Sequence, residues 1–290
     1  MQVIGVDIGG TTIKSAIVEV VNPKDIKSYK IIDRHIVSTC GSSGREVIVN
    51  NIVSSINHFD SYNVDTVCVS SAGTIDWDSG IVTYATDALL GFTGLELTKE
   101  LTLRTGKKVR VINDAISALI AEVYYNNFQH NKVMMFTLGT GLGASLFVND
   151  KLDNSSIIDT HLGHITLHEN GRKCFCGKLG CTETYVSATG LKKNADNDDL
   201  KEVFSNKEKY STAINCFYKD FDIVLYEAVK RFNPDKIIVG GGVVELKDLW
   251  WNDFISSITT KVDIITAKLS NSAGFLGAIY GALNGKFNMQ

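Results

Sequence analysis

The sequence predicts an α/β protein made of two similar halves facing one cleft. Three observations lead there. A strand, glycine turn, strand pattern occurs twice, about 130 residues apart, at Gly9-Gly10 and again at Gly139-Thr140-Gly141. Helical and strand periodicities alternate through most of the remaining chain. The 290 residues, 44% of them hydrophobic, are enough for one large or two modest cores.

Taken in order, residues 2–8 and 13–20 are rich in β-branched side chains and flank Gly9-Gly10-Thr11-Thr12, which reads as two strands joined by a glycine turn. Residues 29–39 predict a third strand. Apolar residues at Val47, Ile48, Ile52, Val53 and Ile56 recur at helical spacing within 44–59, and 65–71 reads as a buried strand. A helix over 95–103, a short strand over 108–112 and a helix over 115–125 follow. The second half opens with strands at 133–138 and 145–148, continues through a Cys-rich loop, then helices from about 200 to 232. It closes with a strand at 236–239 running into three glycines and a small-residue helix over 273–283. The polar run 192–201 reads as a solvated loop.

Composition excludes several classes. Lys plus Arg total 29 against 32 Asp plus Glu, a net charge of -3, so no global positive field gathers nucleic acid or an acidic membrane surface. No apolar run reaches the roughly 18–20 residues of a membrane span. The N-terminus lacks a basic stretch and places Asp7 inside its only apolar run, unlike a secretory signal. A cytoplasmic location is therefore expected, where six cysteines suit metal binding better than disulfides.

Four segments carry chemistry. In Asp7-Ile8-Gly9-Gly10-Thr11-Thr12-Ile13-Lys14, adjacent glycines permit positive φ and close approach, so backbone N–H groups can meet phosphate oxygens. Thr11 and Thr12 add hydroxyls, Lys14 a positive charge, and Asp7 an oxygen ligand for Mg²⁺, directly or through water. A plain hairpin turn fits the same residues. Gly139-Thr140-Gly141-Leu142-Gly143-Ala144 formally matches a dinucleotide fingerprint, but a strand follows it where that fingerprint needs a helix. It reads as a second phosphate hairpin or an ordinary tight turn. Asn113-Asp114, between strand and helix, is either a helix N-cap or a site where Asp114 acts as general base. His164 with Cys174, Cys176 and Cys181 supplies one imidazole and three thiolates within 18 residues, a closed set for structural zinc.

Together these segments resemble the ROK family of sugar kinases and sugar-responsive repressors, over nearly the whole chain. The resemblance implies two actin-like (ribonuclease H-like) α/β domains flanking a cleft, with a zinc-binding loop in the second. It places a first domain at 1–112 and a second at 113–290, with the last helix packing back on the first. Asp7 through Thr11 resembles the family's first phosphate motif, 139–143 its second, and Gly240-Gly241-Gly242 its adenosine motif. Asn113-Asp114 resembles the catalytic pair, with Asn113 as hydroxyl anchor. His164 and Glu183 are implied at the sugar, as are Gly73 and Thr86 from a bordering loop. The implied activity is transfer of the γ-phosphoryl of ATP, with Mg²⁺, to a hexose or N-acetylhexosamine hydroxyl, usually on C6, by a homodimeric enzyme. His161 stands where the family has a glutamate that accepts sugar hydroxyls, a departure that suits altered preference or a catalytically weak sugar sensor. With six residues ahead of Asp7, a kinase without the repressors' DNA-binding domain is expected.

Overall fold

In the computed structural model, which describes residues 1–148 and 157–285, β1 (Gln2–Ile8) and β2 (Thr12–Val20) form the expected hairpin. They pair antiparallel from Gln2↔Glu19 to Ile8↔Ile13. β3 (Tyr29–Ser38) lies antiparallel to β2 at the sheet edge. After α1 (Arg45–Asn57), β4 (Thr66–Ser71) adds parallel to β1. A short hairpin of β5 (Thr74–Ile75) and β6 (Val82–Tyr84) leads to α2 (Leu97–Thr105), then to β7 (Lys108–Asn113), parallel to β4, and α3 (Asp114–Tyr125). The sheet order is β3-β2-β1-β4-β7.

A central strand buried on both faces needs apolar residues on each. In β1, Ile4, Val6 and Ile8 join α1 residues Ile48, Ile52 and Ile56 and α2 residues Leu97 and Leu101. Strand alternation sends Gly5 and Asp7 to the opposite face.

The second stretch repeats this plan. β8 (Val133–Leu138) and β9 (Leu142–Phe147) form a hairpin, and β10 (Ile157–Asp159) pairs antiparallel to β9. α4 (Ala188–Ala195), α5 (Leu200–Ser205) and α6 (Ser211–Phe232) precede β11 (Lys236–Gly240), which is parallel to β8. α7 (Lys247–Ser257) leads to β12 (Asp263–Thr266), parallel to β11. The order β10-β9-β8-β11-β12 has the same sequence of two antiparallel and two parallel pairings as the first sheet. Its core gathers Phe136, Phe217, Phe221, Trp250 and Phe254. Among the described residues no helix is long and apolar enough to cross a membrane.

Residues 1–128 with 272–285 form one compact unit, and 129–148 with 157–271 the other. The division at 112/113 is therefore corrected: α3 belongs to the first unit, because it continues directly from β7 and packs on α8 (Ala273–Asn284). Gly277 makes that packing possible, since a Cβ there would strike the Ser117 carbonyl. An alanine usually favours a helix by about 1 kcal/mol over glycine, but here the collision dominates. Gly277→Ala should destabilise the protein by about 1–3 kcal/mol, and a melting temperature unchanged or raised in calorimetry would refute this packing account.

Two local expectations also change. The run 192–201 is largely helical: it ends α4 and begins α5, leaving Asp196 to Asp199 between them. Asp199 within the run, and Ser187 ahead of it, cap these two helices. Ser187 Oγ accepts from Gly190 N at 3.0 Å, and Asp199 Oδ1 accepts from Lys201 N at 2.8 Å. The second glycine turn is also tighter than expected, because β9 starts at Leu142 and Gly143 pairs with Thr137 inside the ladder.

Candidate active site and metal centre

The first unit collects its polar residues at the C-terminal ends of β1, β4 and β7, where Asp7 pairs with Ser70 and Ser71 with Asn113 in register. Asp7 faces the start of α8, where a Cβ on Gly274 would overlap its carboxylate. Ser70, fully buried, donates from Oγ to Asp7 Oδ1 at 2.7 Å. Burial pushes the Asp7 carboxyl up, against the Ser70 hydrogen bond and the charge of Lys14, its cross-strand partner. Ser70 carried no motif signal; only strand pairing brings it to Asp7.

Of the two readings of Asn113-Asp114, the helix N-cap is the one the structure shows. Asn113 is the N-cap of α3, its Oδ1 accepting from Ile116 N at 3.0 Å, while its Nδ2 donates to the Gly73 carbonyl at 2.7 Å and to Asp114 Oδ1 at 3.0 Å. Gly73, at φ +102, holds the turn that delivers this carbonyl. Asp114 Oδ1 also accepts from Ala115 N at 2.8 Å. Burial first, then the Asp7 carboxylate, raise the Asp114 pKa to about 7, outweighing those hydrogen bonds. A carboxyl poised there is matched to proton transfer near neutrality.

The hairpin between β1 and β2 closes through Gly9 N to the Thr12 carbonyl at 3.0 Å, and Thr39, just past β3, fastens it, its Oγ1 donating to the Gly9 carbonyl at 2.6 Å. Neither Gly9 nor Gly10 adopts the positive φ expected of them. At Gly10 the need is close approach: a Cβ would come within 2.9 Å of Ala88 Cβ. Ala88 lies two residues after the exposed Thr86, so the Thr86 loop packs on this hairpin within the unit. Thr11 is exposed and Lys14 half-buried.

In the second unit the turn after β8 is one residue shorter, Gly139 N donating to the Gly141 carbonyl at 3.0 Å, with Thr140 exposed at its tip. A Cβ would meet nothing within 4 Å at either Gly139 or Gly242, so both leave open space. Gly241, at φ +92, seats its backbone on the Leu138 carbonyl, joining the Gly240-Gly241-Gly242 turn to the base of the hairpin.

The Cys-rich segment folds as a knuckle. Cys174 N donates to the Lys178 carbonyl at 2.9 Å and Gly177 N to the Cys174 carbonyl at 3.1 Å. His164, Cys174, Cys176 and Cys181 offer ligand atoms all within 4.8 Å of one another, with Cys174 Sγ to His164 Nδ1 and Cys176 Sγ to Cys181 Sγ both at 3.6 Å. Tetrahedral zinc with bonds near 2.3 Å to sulfur needs ligand atoms roughly 3.8 Å apart, so this donor set fits it. Glu183 follows in the next turn, with Oε1 3.4 Å from Cys174 Sγ and Oε2 accepting from Leu142 N at 3.4 Å. Exposed His161, at φ +51, opens the turn Leu162–His164.

Two mixed α/β units of one strand order are the plan of the actin-like ATPase class. The chain belongs to the ROK family, whose model matches residues 3–284. It is 28% identical to a glucokinase of Thermotoga maritima, over 96% of each chain. It is 29% identical to an N-acetylmannosamine kinase of Haemophilus influenzae, over 97% of this chain and 95% of the relative. A ROK family glucokinase from Streptomyces griseus, solved in complex with glucose and AMPPNP, superposes with a TM-score of 0.79 at 25% identity, covering 96% of this chain and 98% of that one.

Proposed function

We propose that this protein is an ATP-dependent sugar kinase that transfers the γ-phosphoryl group to a hydroxyl, that on C6, of a hexose or N-acetylhexosamine. The observation that carries this reading is Asp114, a half-buried carboxyl just past the end of β7 whose pKa is raised to about 7 by desolvation and by the neighbouring Asp7 carboxylate. Its glucokinase and N-acetylmannosamine kinase relatives support the acceptor class.

In this reading Asp114 takes the proton of the attacking hydroxyl as the oxygen bonds to phosphorus and the bond to the ADP oxygen breaks. Asn113, Gly73, Thr86, His161, His164 and Glu183 orient the sugar. The hairpins at Gly9, Gly10, Thr11 and Thr12 and at Gly139, Thr140, Gly141 and Gly143 offer backbone N–H groups to the phosphates, with Lys14 as a fixed charge and Gly240, Gly241 and Gly242 at the adenosine. Asp7 would hold Mg²⁺ directly or through water, and the ion when bound neutralises developing phosphate charge. His164, Cys174, Cys176 and Cys181 would hold a structural zinc. A second reading, a sugar sensor with weak turnover, rests on His161: an imidazole accepts one hydrogen bond where a carboxylate accepts several.

A coupled ADP-release assay across glucose, mannose, fructose, allose, N-acetylglucosamine and N-acetylmannosamine separates the two. Turnover on one sugar supports the kinase; saturable sugar binding without turnover supports the sensor. The pH profile gives an independent check. Asp114 works as a carboxylate, so protonation removes the base, and kcat/KM should rise with unit slope from below pH 7 and level off above it. A profile flat between roughly pH 5.5 and 8.5 would exclude Asp114 as the base.

A further inference from the structure

The residues adjoining the metal ligands do more than shape a sugar pocket: two of them lie against the second phosphate hairpin. Gly163 immediately precedes His164, and its Cα faces the Leu142 carbonyl so closely that a Cβ would collide with it. Glu183 stands two residues after Cys181, in the turn Thr182–Thr184. Its Oε2 accepts from Leu142 N and lies where a Cβ on Gly141 would be. The hairpin's Leu142 is thus hydrogen-bonded at its N–H by one flank of the knuckle and packed at its carbonyl against the other. The two flanks are themselves tied, since Thr182 Oγ1 donates to the Leu162 carbonyl and Thr182 N to the Ile165 carbonyl at 3.0 Å. Between residues 160 and 187 the backbone forms short turns and isolated bridges, so the ligand cluster works together with the Thr182 hydrogen bonds in fixing the flanks.

We infer that the Cys₃His knuckle is a brace for the 139–143 hairpin, with Gly163 and Glu183 as positioning residues, so that metal occupancy sets nucleotide affinity. This rests on the reading above that the four ligands take zinc and that the hairpin takes nucleotide phosphates. Backbone N–H groups bind phosphate well only when held in place beforehand. A hairpin freed on one side loses that preorganisation, although none of the four metal ligands belongs to the hairpin.

The first test compares hydrogen exchange in zinc-loaded and chelator-stripped wild-type protein without nucleotide. Peptides covering 138–144 should lose protection on stripping while those covering β11 keep theirs. Unchanged protection at 138–144 overturns the inference, and so does loss that extends equally to β11, which would mean a general stability role. The second test titrates a non-hydrolysable ATP analogue with Mg²⁺ and no sugar into zinc-loaded wild type and zinc-loaded Gly163→Ala. The variant should retain about one zinc and bind about tenfold more weakly, within the range of couplings between sites. Wild-type affinity in a metal-replete variant overturns the brace. Failure of the kinase reading looks different: loaded wild type would then bind no nucleotide at all, while the exchange comparison would still report on the hairpin.

Discussion

Asp114→Asn is expected to lower kcat by roughly 10²–10⁴-fold, the usual contribution of a general base, while sugar and nucleotide affinities change only a few-fold. The amide keeps the acceptor that Ala115 N uses at 2.8 Å, and nearly the same volume, so the start of α3 stays capped by Asn113. What it loses is the ability to hold a proton. The wild-type carboxyl has that ability near neutrality because burial and the neighbouring Asp7 charge lift its pKa to about 7. Turnover within tenfold of wild type, measured by ADP release at saturating substrates, would remove Asp114 from the chemical step.

Cys176→Ser is expected to release the metal and lower the melting temperature of the protein by roughly 10 °C, since a structural zinc contributes several kcal/mol and each kcal/mol moves a unit of this size by about 2–4 °C. Serine cannot replace a thiolate in a tetrahedral sulfur-rich site. Cys174 and Cys181 are buried, and losing the metal would leave their sulfurs and His164 facing one another without a common partner. Elemental analysis should fall from about one zinc per chain toward none. A variant that keeps full zinc, or melts with wild type, would show that the fourth ligand is not Cys176.

The contrast between Asp114 and Ser70 shows how far local pattern reaches. Asp114 announces itself through position, an acidic residue between a β-branched strand and an apolar helix, and the helix begins there. Ser70 sits inside a buried strand run with no such punctuation, yet it is the residue hydrogen-bonded to Asp7. Its role depends on β4 lying parallel to β1 in one register, a pairing across more than sixty positions that periodicity does not encode. The glycines divide in the same way. Their clustering located both hairpins, but the reason for Gly10 is the approach of Ala88 rather than backbone handedness.

Residue order alone determined the strand, turn and helix plan, the two glycine hairpins, the acid at the mouth of α3 and the four-ligand knuckle, because each is written in spacings of a few residues. Tertiary structure alone decided that α3 stays with the first unit through its contact with α8, that the Asp7 charge raises the pKa of Asp114, and that Glu183 and Gly163 both meet Leu142. Those facts arise from burial and from contacts between segments distant in the chain. They depend on where folding brings side chains to rest and not on which neighbours they have in sequence.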